Sequence, residues 1–140
     1  MTTKPESPQL TRTVLRSGVL PKPRFRYSPI VKAGPFIFIS GMVGLDPSTG
    51  ALAEGGAYQQ TRQILGNFTK LCQEQHWSLN QLLVARIFCA DADGAAAVNE
   101  AWEEVFAEIE PPARTFVTVS ALPLGAAVEI EFQLLLTKAE

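Results

Sequence analysis

Two charged side chains near the C-terminal end of this 140-residue chain stand where charge is costly. Arg114 opens the run Arg114-Thr115-Phe116-Val117-Thr118-Val119, and Glu129 lies within Ala127-Val128-Glu129-Ile130-Glu131-Phe132. Both runs are rich in apolar and β-branched residues and read as strands. Burying a guanidinium or a carboxylate is expensive unless an opposite charge meets it. A guanidinium is a rigid fork of donors that never deprotonates, which suits a two-point grip on a carboxylate. A glutamate in reach of the same ligand can take up and return protons. Together they outline chemistry on a small carboxylic acid. Structural ion-pair roles are the alternative that the two residues leave open.

Little else in the chain competes for that role. His76 is the only histidine; it falls near a helix end, where solvent exposure or a capping role is expected. Cys72 and Cys89 are too few for a disulfide framework or a metal set, and both fall on apolar faces as small hydrophobes. A zinc site or a Ser-His-Asp triad therefore lacks material. Twelve Lys and Arg against fourteen Asp and Glu give a net charge of −2 with no basic run. That balance argues against a phosphate-driven nucleic-acid partner. No stretch approaches the ~18 apolar residues that cross a bilayer, and the N-terminus has no apolar signal core. The expectation is a cytoplasmic protein with no membrane partner.

The elements that must position Arg114 and Glu129 follow from periodicity. Residues 1–22, rich in Pro, Thr, Ser and Lys, read as a loosely held arm before a single domain over 23–140. Short strands are expected around Tyr27–Val31 and Pro35–Ser40, the second buried on both faces because Phe36-Ile37-Phe38-Ile39 is continuously apolar. Asp46-Pro47-Ser48-Thr49-Gly50 is a turn. Thr61, Ile64, Leu65, Phe68, Leu71 and Cys72 recur at helical spacing between Gly56 and His76. A strand over Leu83–Cys89 follows, then a second helix capped by Asp91 or Asp93, striped by Val98, Trp102, Val105, Phe106 and Ile109, and stopped by Pro111-Pro112. Leu122-Pro123-Leu124-Gly125 reads as the turn of a hairpin joining 114–121 to 127–137. The order predicts an α+β fold, a sheet with two helices on one face. The other face, mixed polar and apolar, suits a subunit interface.

The sequence resembles the reactive-intermediate (imine) deaminases of the RidA type, also called YjgF-like, from Tyr27 to Thr137. The most specific match is Pro112-Ala113-Arg114-Thr115, then Leu122-Pro123, then Val128-Glu129-Ile130-Glu131. Ile39-Ser40-Gly41, Asp46-Pro47-Ser48-Thr49-Gly50 and Val98-Asn99 support it in the same order. The resemblance implies a chorismate-mutase-like domain, a mixed sheet with two helices on one face, assembled as a homotrimer with sites between subunits. It implies hydrolysis of 2-imino acids or their enamine tautomers to 2-keto acids and ammonia, an activity like that of the 2-iminobutanoate/2-iminopropanoate deaminases. It implies no cofactor and no metal. Arg114 matches the carboxylate-binding arginine and Glu129 the glutamate that handles water; Tyr27, Ser40 and Gly41 match pocket positions, and Asn99 a helix-start asparagine of structural role. Phe116 departs from the pattern, since many such proteins carry a cysteine there, and so does the long arm before Tyr27. A non-catalytic carboxylate- or partner-binding module, or a narrower pathway deaminase, is the alternative; an RNA-cleaving role is disfavoured by the acidic balance.

Overall fold

The computed structural model describes residues 11–137. One six-stranded sheet organises them: β1 (Arg12–Val14), β2 (Ile30–Ala33), β3 (Phe36–Val43), β4 (Leu82–Cys89), β5 (Ala113–Thr118) and β6 (Val128–Leu135), in the order β1-β2-β3-β6-β4-β5. Every neighbouring pair is antiparallel except β4 and β5. The mixed sheet carries two helices, α1 (Gly56–Gln75) and α2 (Ala95–Val105).

The α1 stripe read from the sequence is the buried stripe: Ile64, Leu65, Phe68, Leu71 and Cys72 are all inside. Phe68 stacks on Phe132 of β6 with ring centroids 3.9 Å apart, pinning the helix to the sheet centre. Its C-terminus closes at His76 (φ 61°), whose N–H reaches the carbonyls of Cys72 and Gln73. Ser78 and Gln81 then form a reciprocal capping box that turns the chain into β4. Along β6, Val128, Ile130, Phe132 and Leu134 point into the core while Glu129, Glu131 and Gln133 alternate outward. Burying each such large side chain contributes roughly 1.5–3 kcal/mol.

Several sequence expectations change. No hairpin joins 114–121 to 127–137. Instead β5 lies parallel to β4, and β4 separates it from β6. The connection through α2 is a β-α-β crossover, which returns the chain parallel to the strand it left. The Pro123–Gly125 turn carries the chain past the end of β4, where the Ala90 N–H donates to Ala127 O and Val119 N–H to Cys89 O. Neither Asp91 nor Asp93 caps α2: Gly94 occupies the N-cap without a side-chain bond, and Asp91 instead accepts from the Asp93 N–H. The helix ends at Val105, well before Pro111, because Phe106 leaves helical geometry with its N–H bonded to Trp102 O.

The strand expected at Tyr27–Val31 starts only at Ile30; Pro29, which has no N–H, precedes it. Phe38 is 43 % exposed, so β3 is buried on one face only within a single chain. Of the N-terminal arm, residues 1–10 lie outside the described residues. Arg12–Val14 pair with β2, Leu15, Val19 and Leu20 pack on the core, and Gly18 N–H donates to Glu74 of α1.

Candidate active site

Arg114 is the second residue of β5, on the outer edge of the sheet. Its register partner on β4 is Ala85, which is fully buried towards the helices. Paired residues share a face, so Arg114 stands on the helix side. There its Nη1 donates to Asn99 Oδ1 at 2.8 Å, and its guanidinium lies 5.5 Å over the Trp102 ring. Asn99 and Trp102 are three residues apart on α2 and therefore neighbours on one helix face. Stacking on an indole and bonding to a neutral amide hold the guanidinium without neutralising it. Its remaining donors have no partner among the described residues, and the side chain is exposed, so an anion can reach it. Phe116 shares this face two residues on; it is half-buried and packs against the core.

Glu129 sits elsewhere. It pairs with Phe88 of β4 and Val43 of β3, and stands on the face that the helices leave open. Between Ile39–Phe132 and Met42–Ile130 the register slips, so Ser40 and Gly41 oppose Glu131 alone. That is a β-bulge, a device that re-aims side chains beside functional sites. The bulge lays Gly41 beneath the Glu129 side chain: a Cβ at Gly41 would come within 2.7 Å of Glu129 Cδ. Only glycine leaves that space. Ser40 ties in the preceding segment, its Oγ donating to Ser28 O at 2.8 Å and its N–H to Pro29 O at 2.9 Å. Tyr27 follows outward from there, 52 % exposed. Burial, and then repulsion from Glu131, hold the Glu129 carboxyl above its ordinary value. A carboxyl so placed picks up protons more readily than a solvated one. Glu131 is instead paired with Arg86 at 3.3 Å.

The residues singled out in the sequence thus fall into two groups. Ser40, Gly41 and Glu129 gather on the open face, and Tyr27 precedes the Ser28–Pro29 segment that holds Ser40. Asn99, Arg114 and Phe116 gather at the helix-side edge. Arg114 and Glu129 are offset by three positions along β4, about 10 Å, and by two strand spacings, about 10 Å more, on opposite faces. Trp102 belongs to the apolar stripe of α2 and, three residues from Asn99, also faces the guanidinium. Gln60, buried with its Oε1 accepting the Ala127 N–H ahead of β6, carried no sequence signal for that role. No group of three or more His, Cys, Asp or Glu able to hold a metal occurs among the described residues. No helix there is long and apolar enough to cross a membrane.

An α+β sheet of this order, with an arginine on its edge strand and a glutamate over a glycine bulge, defines a class that comparison with known proteins identifies. The chain belongs to the Endoribonuclease L-PSP family, whose model matches residues 18–134; this is the family of RidA-type proteins that the motifs indicated. A RutC family protein of Pyrococcus horikoshii is 40% identical over 111 residues, spanning 79% of this chain and 87% of the relative. A 2-iminobutanoate/2-iminopropanoate deaminase of Mus musculus is 34% identical over 122 residues, spanning 87% and 90%. The crystal structure of RidA from an Antarctic Psychrobacter superposes with a TM-score of 0.80 at 34% identity, covering 89% of this chain and 99% of that one.

Proposed function

We propose that the protein hydrolyses reactive 2-imino acids and their enamine tautomers to 2-keto acids and ammonia, at a site assembled between subunits of a homotrimer. The observation that carries this reading is the half-buried Glu129 carboxyl, raised above its ordinary value and laid over a glycine that leaves room beside it. The deaminase relatives lend it support.

The chemistry asked of the protein is modest. An imine carbon is electrophilic, and more so once its nitrogen is protonated. Arg114 grips the substrate carboxylate through parallel N–H···O bonds, with Asn99 and Trp102 holding the guanidinium in place. Glu129 takes a proton from water as its oxygen bonds to C2 and the C=N π electrons move to nitrogen. The same proton then goes to the nitrogen. As the hydroxyl of the adduct returns its proton to the freed Glu129 carboxylate, its O–H electrons form the C=O bond, the C–N bond breaks, and ammonia leaves the keto acid. Proton transfer of this kind is worth about 10²–10⁴-fold. No bound group is required for any of these steps.

The direct test generates imino acids in situ with an amino-acid oxidase and traps free imine with semicarbazide. Active protein lowers the trapped fraction, and both Arg114→Ala and Glu129→Ala restore it. A protein that binds 2-keto acids yet leaves the trapped fraction unchanged is the binding module instead.

A further inference from the structure

The cations of this chain are unevenly placed. Six of the twelve Lys and Arg (Arg12, Arg16, Lys22, Arg24, Arg26 and Lys32) lie between Glu6 and Asp46, and no acid lies among them. They form no run; in Lys22-Pro23-Arg24-Phe25-Arg26-Tyr27 they alternate with proline and aromatic residues. Arg24 and Arg26 are exposed, and neither makes an ion pair or a side-chain hydrogen bond among the described residues. The Tyr27 N–H bonds back to Phe25 O at 3.0 Å, a three-residue turn with Arg26 at its apex.

This segment is tied to the glutamate half of the site. Ser28 and Pro29 lend their carbonyls to Ser40, and the neighbouring Gly41 carries Glu129. Arg26 is two residues from Ser28, so their Cα atoms lie within about 7 Å, a span an arginine side chain crosses. A monocarboxylate needs one guanidinium clamp, which Arg114 already supplies. An unpaired guanidinium tethered this close to Ser40, with a second two residues before it, suits a second anionic group.

We propose that Arg24 and Arg26 form an anion-reading rim that selects 2-imino acids with a second carboxylate on the side chain, the imino-dicarboxylates. This assignment rests on the imine-deaminase reading of the pocket. A small dianion suits the rim better than a polyanion does. Away from this stretch six cations stand against fourteen carboxylates, so an extended chain of phosphates meets repulsion beyond the rim.

The test compares kcat/KM for 2-iminoglutarate and 2-iminobutanoate, each generated in situ, in the wild type and in Arg24→Gln/Arg26→Gln. It also measures calorimetric binding of 2-oxoglutarate and 2-oxobutanoate at low ionic strength. The wild type is expected to favour the dicarboxylic imine by about tenfold or more, and the double variant to lose that ratio. A ratio unchanged by the substitutions, or a wild-type preference for 2-iminobutanoate, overturns the rim. If neither imine is turned over but 2-oxoglutarate still binds about tenfold tighter through Arg24 and Arg26, the rim stands and the deaminase reading falls. No turnover and no binding preference removes both. Single-stranded RNA that binds through these arginines more tightly than 2-oxoglutarate overturns the rim and assigns the segment to nucleic acid.

Discussion

At the scale of residues, the proposed hydrolysis asks different things of Arg114 and Glu129. Among the described residues Arg114 meets only a neutral amide and a ring face, so its charge is oriented but not cancelled by them. A lysine keeps the charge and loses both the planar fork and the stacking. Arg114→Lys is therefore expected to lose most imine hydrolysis, at least about tenfold, while thermal unfolding of this exposed site barely moves. Near-normal turnover would make the arginine structural. Glu129 yields a prediction of opposite sign for stability. Its pKa is raised in the folded state, by burial first and by Glu131 second. The folded protein thus binds that proton more tightly than the unfolded chain, and stability falls as pH climbs through the raised value. Glu129→Gln, which cannot ionise, is expected to unfold at or above the wild-type temperature at pH 7.5, with the difference disappearing in acid. Thermal melts across pH read this directly; a variant less stable than the wild type at pH 7.5 by more than it is in acid contradicts the burial argument. Activity of the same variant is expected to collapse.

At the scale of elements, the same glycine contact means different things within β3 and just past its end. A Cβ at Gly41 meets the far end of the flexible Glu129 side chain at 2.7 Å. A Cβ at Gly44 meets backbone, Gln60 O of α1 at 2.7 Å, which cannot swing aside. Gly41→Ala is accordingly expected to keep its fold and displace the carboxyl, lowering kcat far more than stability. Gly44→Ala is expected to cost about 1–3 kcal/mol in chemical denaturation, since the strand end must lift off the helix. Periodicity made α1, β4 and β6 legible, because each is bounded by clear breakers and carries one buried face. The pairing of β5 was not legible. Leu122-Pro123-Leu124-Gly125 looks locally like a hairpin turn, and nothing nearby in sequence says that β4, some thirty residues earlier, inserts between the two strands. Strand order is decided by long-range burial, where Ala85, Ile87 and Cys89 are wholly inside, and not by the turn. The Ser40–Gly41 bulge was hidden for a similar reason: the residues showed, but not their two-against-one register with Glu131.

At the scale of the whole molecule, the opposite faces of Arg114 and Glu129 become the central fact. Residue types in the sequence named both groups, yet face depends on strand pairing, so their separation emerged only with the sheet. One small imino acid cannot touch both within a chain, because the sheet itself stands between them. The open face that carries Glu129 also leaves Phe38 and Val117 exposed at 43 % and 40 %, apolar area that a second copy would cover. In the proposed homotrimer each subunit would offer the same two patches, one to each neighbour, and an edge arginine would meet the next subunit's glutamate at every interface. Mixed trimers test this. Arg114→Ala and Glu129→Ala are each expected to be inactive alone. Unfolded together at equal concentration and refolded, they combine at random. An interface then works only when a Glu129→Ala chain supplies the arginine and an Arg114→Ala chain supplies the glutamate, which happens at about a quarter of interfaces. Recovery near a quarter of wild-type hydrolysis is the expected result, with the mixed species resolved by native mass spectrometry. A site contained in one chain leaves every mixture dead, however the subunits assort.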